Sequence, residues 1–332
     1  MLNTLHRLFG TTAAALLILV PLALGTSNVR ADAGAIRAFS EALAARHDWD
    51  ARRIEALIND EAIHQPDIIE AIRRPAEAMP WSRYRPIFLT EARIEAGRAY
   101  QQRHRRWLTA VEDTYGVPAE IVVAIIGVET FYGRYAGNYR VLDALRTLGF
   151  GYPPRAEFFR DELEAFLVLA REEGFAPTDP LGSYAGAMGI PQFISSSYRA
   201  YAVDFNENGR RDLFSEPADA IGSIGHYLAR HGWQADAPIA VPARVEGEDW
   251  QSHLYESLAP QDTVATLAAA GVHPSTPLSA GLDARLLQLH AEAGDRYWIT
   301  LRNFYAITRY NHSALYAMAV HQLAGRIGGG GR

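Results

Sequence analysis

The sequence predicts a mainly α-helical (α+β) chain carrying one small β-containing insertion. Three observations lead there. Most segments read as helices with capping residues at their starts and prolines between them. Ile121 to Val128 is apolar at every position but Gly127. The proline at its start and its continuity into Glu129 favour a buried helix over a strand. Between about Trp233 and Leu278 the pattern changes, and Ile239-Ala240-Val241-Pro242-Ala243-Arg244-Val245 looks strand-like.

Taken in order, the first 31 residues read as a secretory signal. His6 and Arg7 make a positive start, residues 9–24 are dominated by Ala, Leu, Ile and Val, and Val29-Arg30-Ala31 supplies a small-x-small cleavage pattern. The apolar stretch is short for the roughly 20 residues of a bilayer span, although an uncleaved anchor is the alternative. No cysteine is present to accept a lipid, so the mature chain is expected to be soluble.

Residues 32–114 form an expected N-terminal helical region. Ala35–Arg46 is one helix, Asp50 can cap Ala51–Ile58, and Thr90 can cap a long helix through Trp107. The basic run Arg103-His104-Arg105-Arg106 reads as a solvated helix face. Residues 115–232 form the expected core, with helices at Ile121–Glu129, Pro154–Glu173, Pro191–Val203 and Pro217–Arg230. Glu157, Asp161, Glu162 and Glu164 read as the solvated face of the second of these. Residues 233–295 form the insertion, 296–326 a helical return to the core, and 327–332 a flexible tail.

Composition excludes whole classes. The chain of 332 residues is 48% hydrophobic and 21% charged, with a formal charge of −6. A nucleic-acid binder or a polybasic membrane-surface protein would lean the other way. Zero cysteines exclude disulfide scaffolds, thiolate zinc sites, iron–sulfur clusters and a cysteine nucleophile. There is no Gly-x-Ser-x-Gly elbow, Walker loop or His-Glu-x-x-His, and the eleven histidines show no metal spacing.

Two segments carry chemistry. Glu129 shares the apolar stripe of Ile126, Ile125 and Val122 near the end of its helix, a setting expected to disfavour its charged form. A carboxylic acid so placed suits a general acid. A structural Glu paired with Arg134 or Arg140 remains equally open from the helix alone. The second segment is Ser183-Tyr184-Ala185-Gly186-Ala187-Met188-Gly189-Ile190-Pro191-Gln192-Phe193. Its glycines let backbone approach a ligand, and Gln192 offers donor and acceptor groups. Alone it reads more simply as a glycine turn before a helix starting at Pro191.

Together they resemble the lysozyme-like lytic transglycosylases, with a fuller match to the membrane-bound lytic murein transglycosylase B family. Ile125-Ile126-Gly127-Val128-Glu129-Thr130 and Gly186-Ala187-Met188-Gly189-x-x-Gln192-Phe193 lead the match. It covers Tyr115–Trp233, including Leu142-Asp143-Ala144-Leu145 and Tyr201-Ala202-Val203-Asp204-Phe205, and resumes at residues 303–313.

The resemblance implies a lysozyme-like helical core. It also implies cleavage, without water, of the β-1,4 bond between N-acetylmuramic acid and N-acetylglucosamine in peptidoglycan. Glu129 would be the single catalytic glutamate, acid first and then base on the muramic acid 6-hydroxyl. The absence of a second recurring carboxylate fits, since an intramolecular nucleophile removes the need for one. Ser183, Gln192, Tyr227, Tyr310, Asn311 and Tyr316 would surround the glycan groove, with Tyr84 and Arg155 as weaker contacts. A soluble monomer in the periplasm is expected, needing no cofactor for chemistry and bound to glycan strands. A hydrolytic muramidase and a non-catalytic peptidoglycan-binding protein are the alternatives.

Asp204-Phe205-Asn206-Glu207-Asn208-Gly209-Arg210 places oxygen donors at positions 1, 3 and 5 and glycine at 6, the EF-hand order. Arg210 would give its carbonyl. Position 12 is Ser215, and the resemblance points to Asp219 as the closing acid of an EF-hand-like loop over 204–219. Weak structural calcium, with sodium competing, is the expectation; a metal-free Asn/Gly loop and a calcium-responsive switch are the alternatives.

Overall fold

The computed structural model describes residues 25–73 and 79–329. Most of the expected signal segment therefore lies outside the described residues, as do residues 330–332 of the expected tail. Among the described residues no helix is long and apolar enough to cross a membrane. The chain divides into two compact units between Glu55 and Ala56.

The first unit holds α1 (Gly25–His47) and most of α2 (Ala51–Ala56). Asp50 Oδ1 accepts the Arg52 amide at 2.9 Å, the expected cap. The helix expected to reach Ile58 instead gives way after Ala56 to a π-turn over Leu57–Glu61.

The second unit begins with α3 (Pro66–Ile72), α4 (Trp81–Phe88), α5 (Glu91–Arg103) and α6 (Arg105–Tyr115). Thr90 caps α5 as expected, its hydroxyl accepting the Arg93 amide at 3.2 Å. The single long helix expected there is broken at His104, which leaves helical geometry with its ring tilted against Tyr100, 4.3 Å between centroids. Arg103, Arg105 and Arg106 are exposed, as a solvated face requires.

Next comes α7 (Ala119–Thr130), in which every residue from Ile121 to Val128 is buried. A helix apolar all round must be enclosed, and α5, α6 and two later helices, α11 (Pro217–Arg230) and α14 (Ala314–Ile327), pack against it. It is followed by β1 (Tyr139–Arg140), α8 (Val141–Gly151), α9 (Ala156–Glu173) and β2 (Leu181–Gly182), which pairs antiparallel with β1. Glu162 on α9 corrects the expectation of a wholly solvated acidic face. It is buried, and its carboxylate accepts the Ser196 amide at 3.0 Å and hydroxyl at 2.6 Å. A buried carboxylate persists where hydrogen bonds replace its water.

The helix expected over Pro191–Val203 shrinks to α10 (Ser195–Tyr201), because residues 188–193 form a bridged turn. α11 spans Pro217–Arg230, the span read from the sequence. Five antiparallel strands follow: β3 (Ala240–Val245), β4 (Asp262–Thr263), β5 (Val272–Pro274), β6 (Asp283–Ala291) and β7 (Gly294–Leu301), in the order β4-β6-β7-β3-β5. Helix α12 (Val264–Ala269) covers one face, closing a small core with Val272, Leu286 and Ile299.

Here the sequence expectation of helix from Arg296 fails. Residues 296–301 are β7, paired with β6 from Ala291↔Gly294 to Ala284↔Leu301. Tyr297, Trp298, Ile299 and Thr300 are aromatic or β-branched, the types that suit a pleated surface. Helix resumes with α13 (Arg302–Tyr310) and α14 (Ala314–Ile327), which is capped by Ser313 and lies against α7. The architecture is mainly helical with a five-stranded sheet and the short β1–β2 pair, in line with the α+β class the sequence predicts.

His321 on α14 sits edge-on to Trp298, 5.8 Å between ring centroids, and burial pushes its pKa down to about 4. Unfolded chain takes up this proton near 6.5, whereas the folded ring resists until about 4. Stability from this group is therefore complete above pH 6.5 and is lost as the pH falls towards 4, by up to about 3 kcal/mol. Melting curves between pH 7 and 4 are expected to fall more steeply for the native chain than for His321→Gln.

Candidate active site

Glu129 is the penultimate residue of α7, half-buried at the helix end. The chain then takes three consecutive left-handed residues, Phe131, Tyr132 and Gly133, at φ 51°, 63° and 83°. Two of these are not glycine, so the surroundings must impose the turn. Thr130 does so from one side, its hydroxyl donating to Ile190 O at 3.0 Å and accepting from the Gly133 amide at 2.9 Å. Tyr132 does so from the other, its hydroxyl donating to Arg93 O at 2.8 Å. Gly127, the single break in the apolar run, is where that ring crosses the helix: a Cβ there would stand 2.6 Å from Tyr132 Oη.

The Ser183–Phe193 segment lies across from this helix end. Ser183 Oγ accepts the amides of Ala185 at 3.2 Å and Ala187 at 3.1 Å, while Met188 and Phe193 exchange backbone hydrogen bonds. Gln192 adopts φ 54°, and its Nε2 donates to Ala136 O and Gly189 O, both at 2.9 Å. Ser183 and Gln192 thus brace the turn, with Gln192 Oε1 the remaining polar group of that amide. Thr130 ties the Glu129 helix to this segment through Ile190.

Tyrosines complete the enclosure. Tyr316 on α14 donates its hydroxyl to Glu129 Oε1 at 2.6 Å. Tyr310 at the end of α13 lies parallel to it, centroids 6.4 Å apart, and donates to Pro191 O. Tyr227 on α11 meets Tyr310 edge-on and donates to Arg309 O. Phe193 lies beside Tyr227 and Tyr310.

Burial first, then the Glu129 charge, holds the Tyr310 and Tyr316 phenols well above their usual range. Burial lifts Tyr227 to about 12. All three are neutral donors at any working pH. Among the described residues Glu129 is the one carboxylate whose charge bears on both Tyr310 and Tyr316. Tyr84 on α4 is buried and electrostatically coupled to Tyr316, so it belongs to this enclosure. Half-buried Asn311 sits in the α13–α14 turn, its carbonyl accepting the Ser313 amide.

Arg155 is not brought to this group. It is exposed on the turn before α9, its guanidinium over the rings of Phe158 and Phe159. Of the arginines weighed as structural partners for Glu129, Arg140 is held by Asp143 at 2.7 and 2.9 Å, and Arg134 lies over Phe131. Sequence reasoning passed over Thr130 and Tyr132; the signal for Tyr132 was Gly127, a small residue where every neighbour is large.

The 204–219 loop closes on itself. Asp204 accepts the amides of Asn208 and Gly209, Asn206 that of Asn208, and Asn208 that of Arg210. Fully buried Asp219 accepts the amides of Phe205 and Asp212, both at 2.9 Å. Burial raises its pKa, opposed by those amides and aided by the Asp204 charge. Among the described residues no three His, Cys, Asp or Glu side chains converge to hold a metal ion.

Residues 31–325 match the family described as Transglycosylase SLT domain. The chain belongs to that family. It is 46% identical over 243 residues to membrane-bound lytic murein transglycosylase B of Escherichia coli K12, covering 73% of this chain and 66% of that protein. It is similar to the catenated lytic transglycosylase SltB1 of Pseudomonas aeruginosa, with TM-score 0.84, 45% identity, and 89% of this chain and 97% of that one covered. Slt35 of E. coli, solved in complex with calcium, matches at TM-score 0.80 and 39% identity over 89% and 93% of the two chains. SltB3 of P. aeruginosa, in complex with NAG-NAM-pentapeptide, matches at TM-score 0.81 and 33% identity over 91% and 81%. The family and the fold read from the sequence are borne out.

Gly137 (φ 102°) brings the chain back beside this segment, and a Cβ there would stand 2.0 Å from Gly182 O. Gly174 (φ 75°) has open space around it. Gly174→Ala is expected to lower stability by about 1 kcal/mol from backbone strain alone. Gly137→Ala adds a backbone clash and should reach about 3 kcal/mol, measured by denaturant unfolding.

Proposed function

We propose that this chain is a peptidoglycan lytic transglycosylase with Glu129 as its acid and then its base. The observation that carries it is the Tyr316–Glu129 hydrogen bond at 2.6 Å, in an enclosure where Glu129 is the one carboxylate acting on both neighbouring phenols. In the first step the Glu129 carboxyl gives its proton to the glycosidic oxygen as the C1–O bond breaks. In the second its carboxylate takes the muramic acid 6-hydroxyl proton as O6 bonds to C1, leaving a 1,6-anhydro end and a protonated Glu129. No water is consumed. A tethered hydroxyl supplies the effective concentration that a second carboxylate gives in hydrolases.

Tyr316 positions the carboxylate through its hydroxyl. Tyr310 offers a ring face to sugars, and Tyr227 and Tyr84, both buried, back that wall of the groove. Gln192, Ser183 and Asn311 provide polar groups beside the turn, and Arg155, standing apart, would meet only a distant part of the polymer. Secretion through residues 1–31 would place the chain in the periplasm as a soluble monomer, where the polymer lies.

Mass spectrometry of digested wall tests the chemistry. Products are expected to sum to the substrate mass; reducing ends heavier by one water would establish a muramidase instead. Glu129→Gln should abolish solubilisation, and unchanged activity would leave a binding protein. Tyr316→Phe should lower kcat about tenfold with little change in KM, the loss of one hydrogen bond to a charged group.

The 204–219 loop would hold a structural calcium ion through Asp204, Asn206, Asn208, the Arg210 carbonyl and Asp219. Its donors are all oxygens, as a hard cation requires, and its two carboxylates are close enough to act on one another. With two asparagines in place of acids, binding is weak and sodium competes. Calcium at a hundredfold excess over its Kd should stabilise the fold by about 2.7 kcal/mol, and Asp204→Ala should erase that shift. A melting temperature and activity unmoved by calcium would remove both this site and a calcium switch.

A further inference from the structure

Behind the Glu129 enclosure, the second unit carries another concavity of about 1270 Å³ between the sheet and the helices α4 and α14. Strand periodicity builds one wall. Val241, Ala243 and Tyr297 pack with Ile299 and Leu301 on the small core of the sheet, so Pro242, Arg244, Arg296 and Trp298 face the other way. That second face meets Trp81 and Arg85 of α4 and His321 and Arg326 of α14. His321, held neutral by burial, and Trp298 meet edge to face in the same wall.

The lining is basic in an acidic chain. Arg85, Arg244, Arg296 and Arg326 stand against one acid, Asp295, whose carboxylate is taken by His290 and Gln288. Glu246 and Glu91, outside the lining, hold Arg244 and Arg326 in surface ion pairs. Such pairs contribute about 0–1 kcal/mol and exchange readily for an incoming anion. Arg296 makes no ion pair among the described residues and is exposed.

The concavity is distinct from the cleft of Glu129. Tyr316 faces that carboxylate, whereas Gly325 lines the concavity nine residues later, about 180° round the helix and about 13 Å along it. Its volume exceeds the roughly 300–1,000 Å³ of small-molecule sites. A bare N-acetylated glycan would use the aromatic rings but leave the guanidiniums without an anion. A peptide with free carboxylates engages both.

We propose that this groove binds a short carboxylate-bearing peptide, which on the function proposed above is the stem of a strand neighbouring the one being cut. Binding there anchors the enzyme to its polymer while the opposite face of α14 serves the reaction.

The test titrates the full chain by calorimetry with a synthetic pentapeptide carrying free carboxylates, with its fully amidated counterpart and with a peptide-free glycan oligomer. The free acid is expected to bind, and the amidated peptide at least about tenfold more weakly. Arg296→Glu and Arg244→Glu, both at exposed positions, should each weaken binding about tenfold, the loss of one charge-assisted hydrogen bond. Their melting temperatures and their cleavage of the peptide-free oligomer should match the native chain. No binding at millimolar peptide, equal binding of the amidated form, indifference to both substitutions, or displacement by the glycan oligomer would each overturn the proposal. Should the native chain bind the peptide in this groove yet fail to cut the oligomer, the proposed activity falls and the groove's ligand class stands.

Discussion

The enclosure of α7 is the constraint on which the rest depends. An eight-residue run with no polar side chain has no face to offer water, so the helices around it must close on every side. Its last turn is then fixed by packing rather than by local propensity. Glu129 emerges at the one place where that packing ends. The left-handed turn at Phe131–Gly133 is sustained by the same enclosure, because Thr130 and Tyr132 can hold it only against neighbours that do not move.

From this follows the arrangement of the tyrosines. They arrive from four separate helices, α4, α11, α13 and α14, and none could be assigned to the site by its own neighbours in sequence. Burial keeps the phenols of Tyr227, Tyr310 and Tyr316 neutral, and they donate to Arg309 O, Pro191 O and Glu129 respectively. The Tyr316 hydroxyl gives the Glu129 carboxylate a hydrogen bond from a neutral donor. That environment suits the acid-then-base role proposed for Glu129.

What the sequence revealed divides along the same line. Caps at Asp50 and Thr90, the span of α11 and the burial of α7 were legible because each is decided within a few residues. The end of the sheet was not: residues 296–301 become a strand through pairing with β6, although their aromatic and β-branched composition was a signal that went unused. Glu162 looked like surface because its partner, Ser196, lies in a distant element. Gln192 is similar, since its left-handed backbone sits in the turn closed by the Met188–Phe193 bridge and its side-chain amide donates to Ala136 O and Gly189 O. Glu129 itself was half legible. Its stripe of isoleucines marked it as unusual, but only spatial neighbours separate a reacting group from a buried ion pair.

The overall charge of −6 gives no long-range attraction to an anionic polymer, so the proposed binding would come from groups that meet it at contact. The chain supplies these on two faces of one helix. Towards Glu129, α14 presents Tyr316 in a neutral, aromatic setting fit for sugar. On its far side it contributes Arg326 and His321 to a wall where arginines outnumber acids. On the proposed function, separating the two chemistries across the width of α14 would let the molecule hold charged polymer on one face and cut on the other.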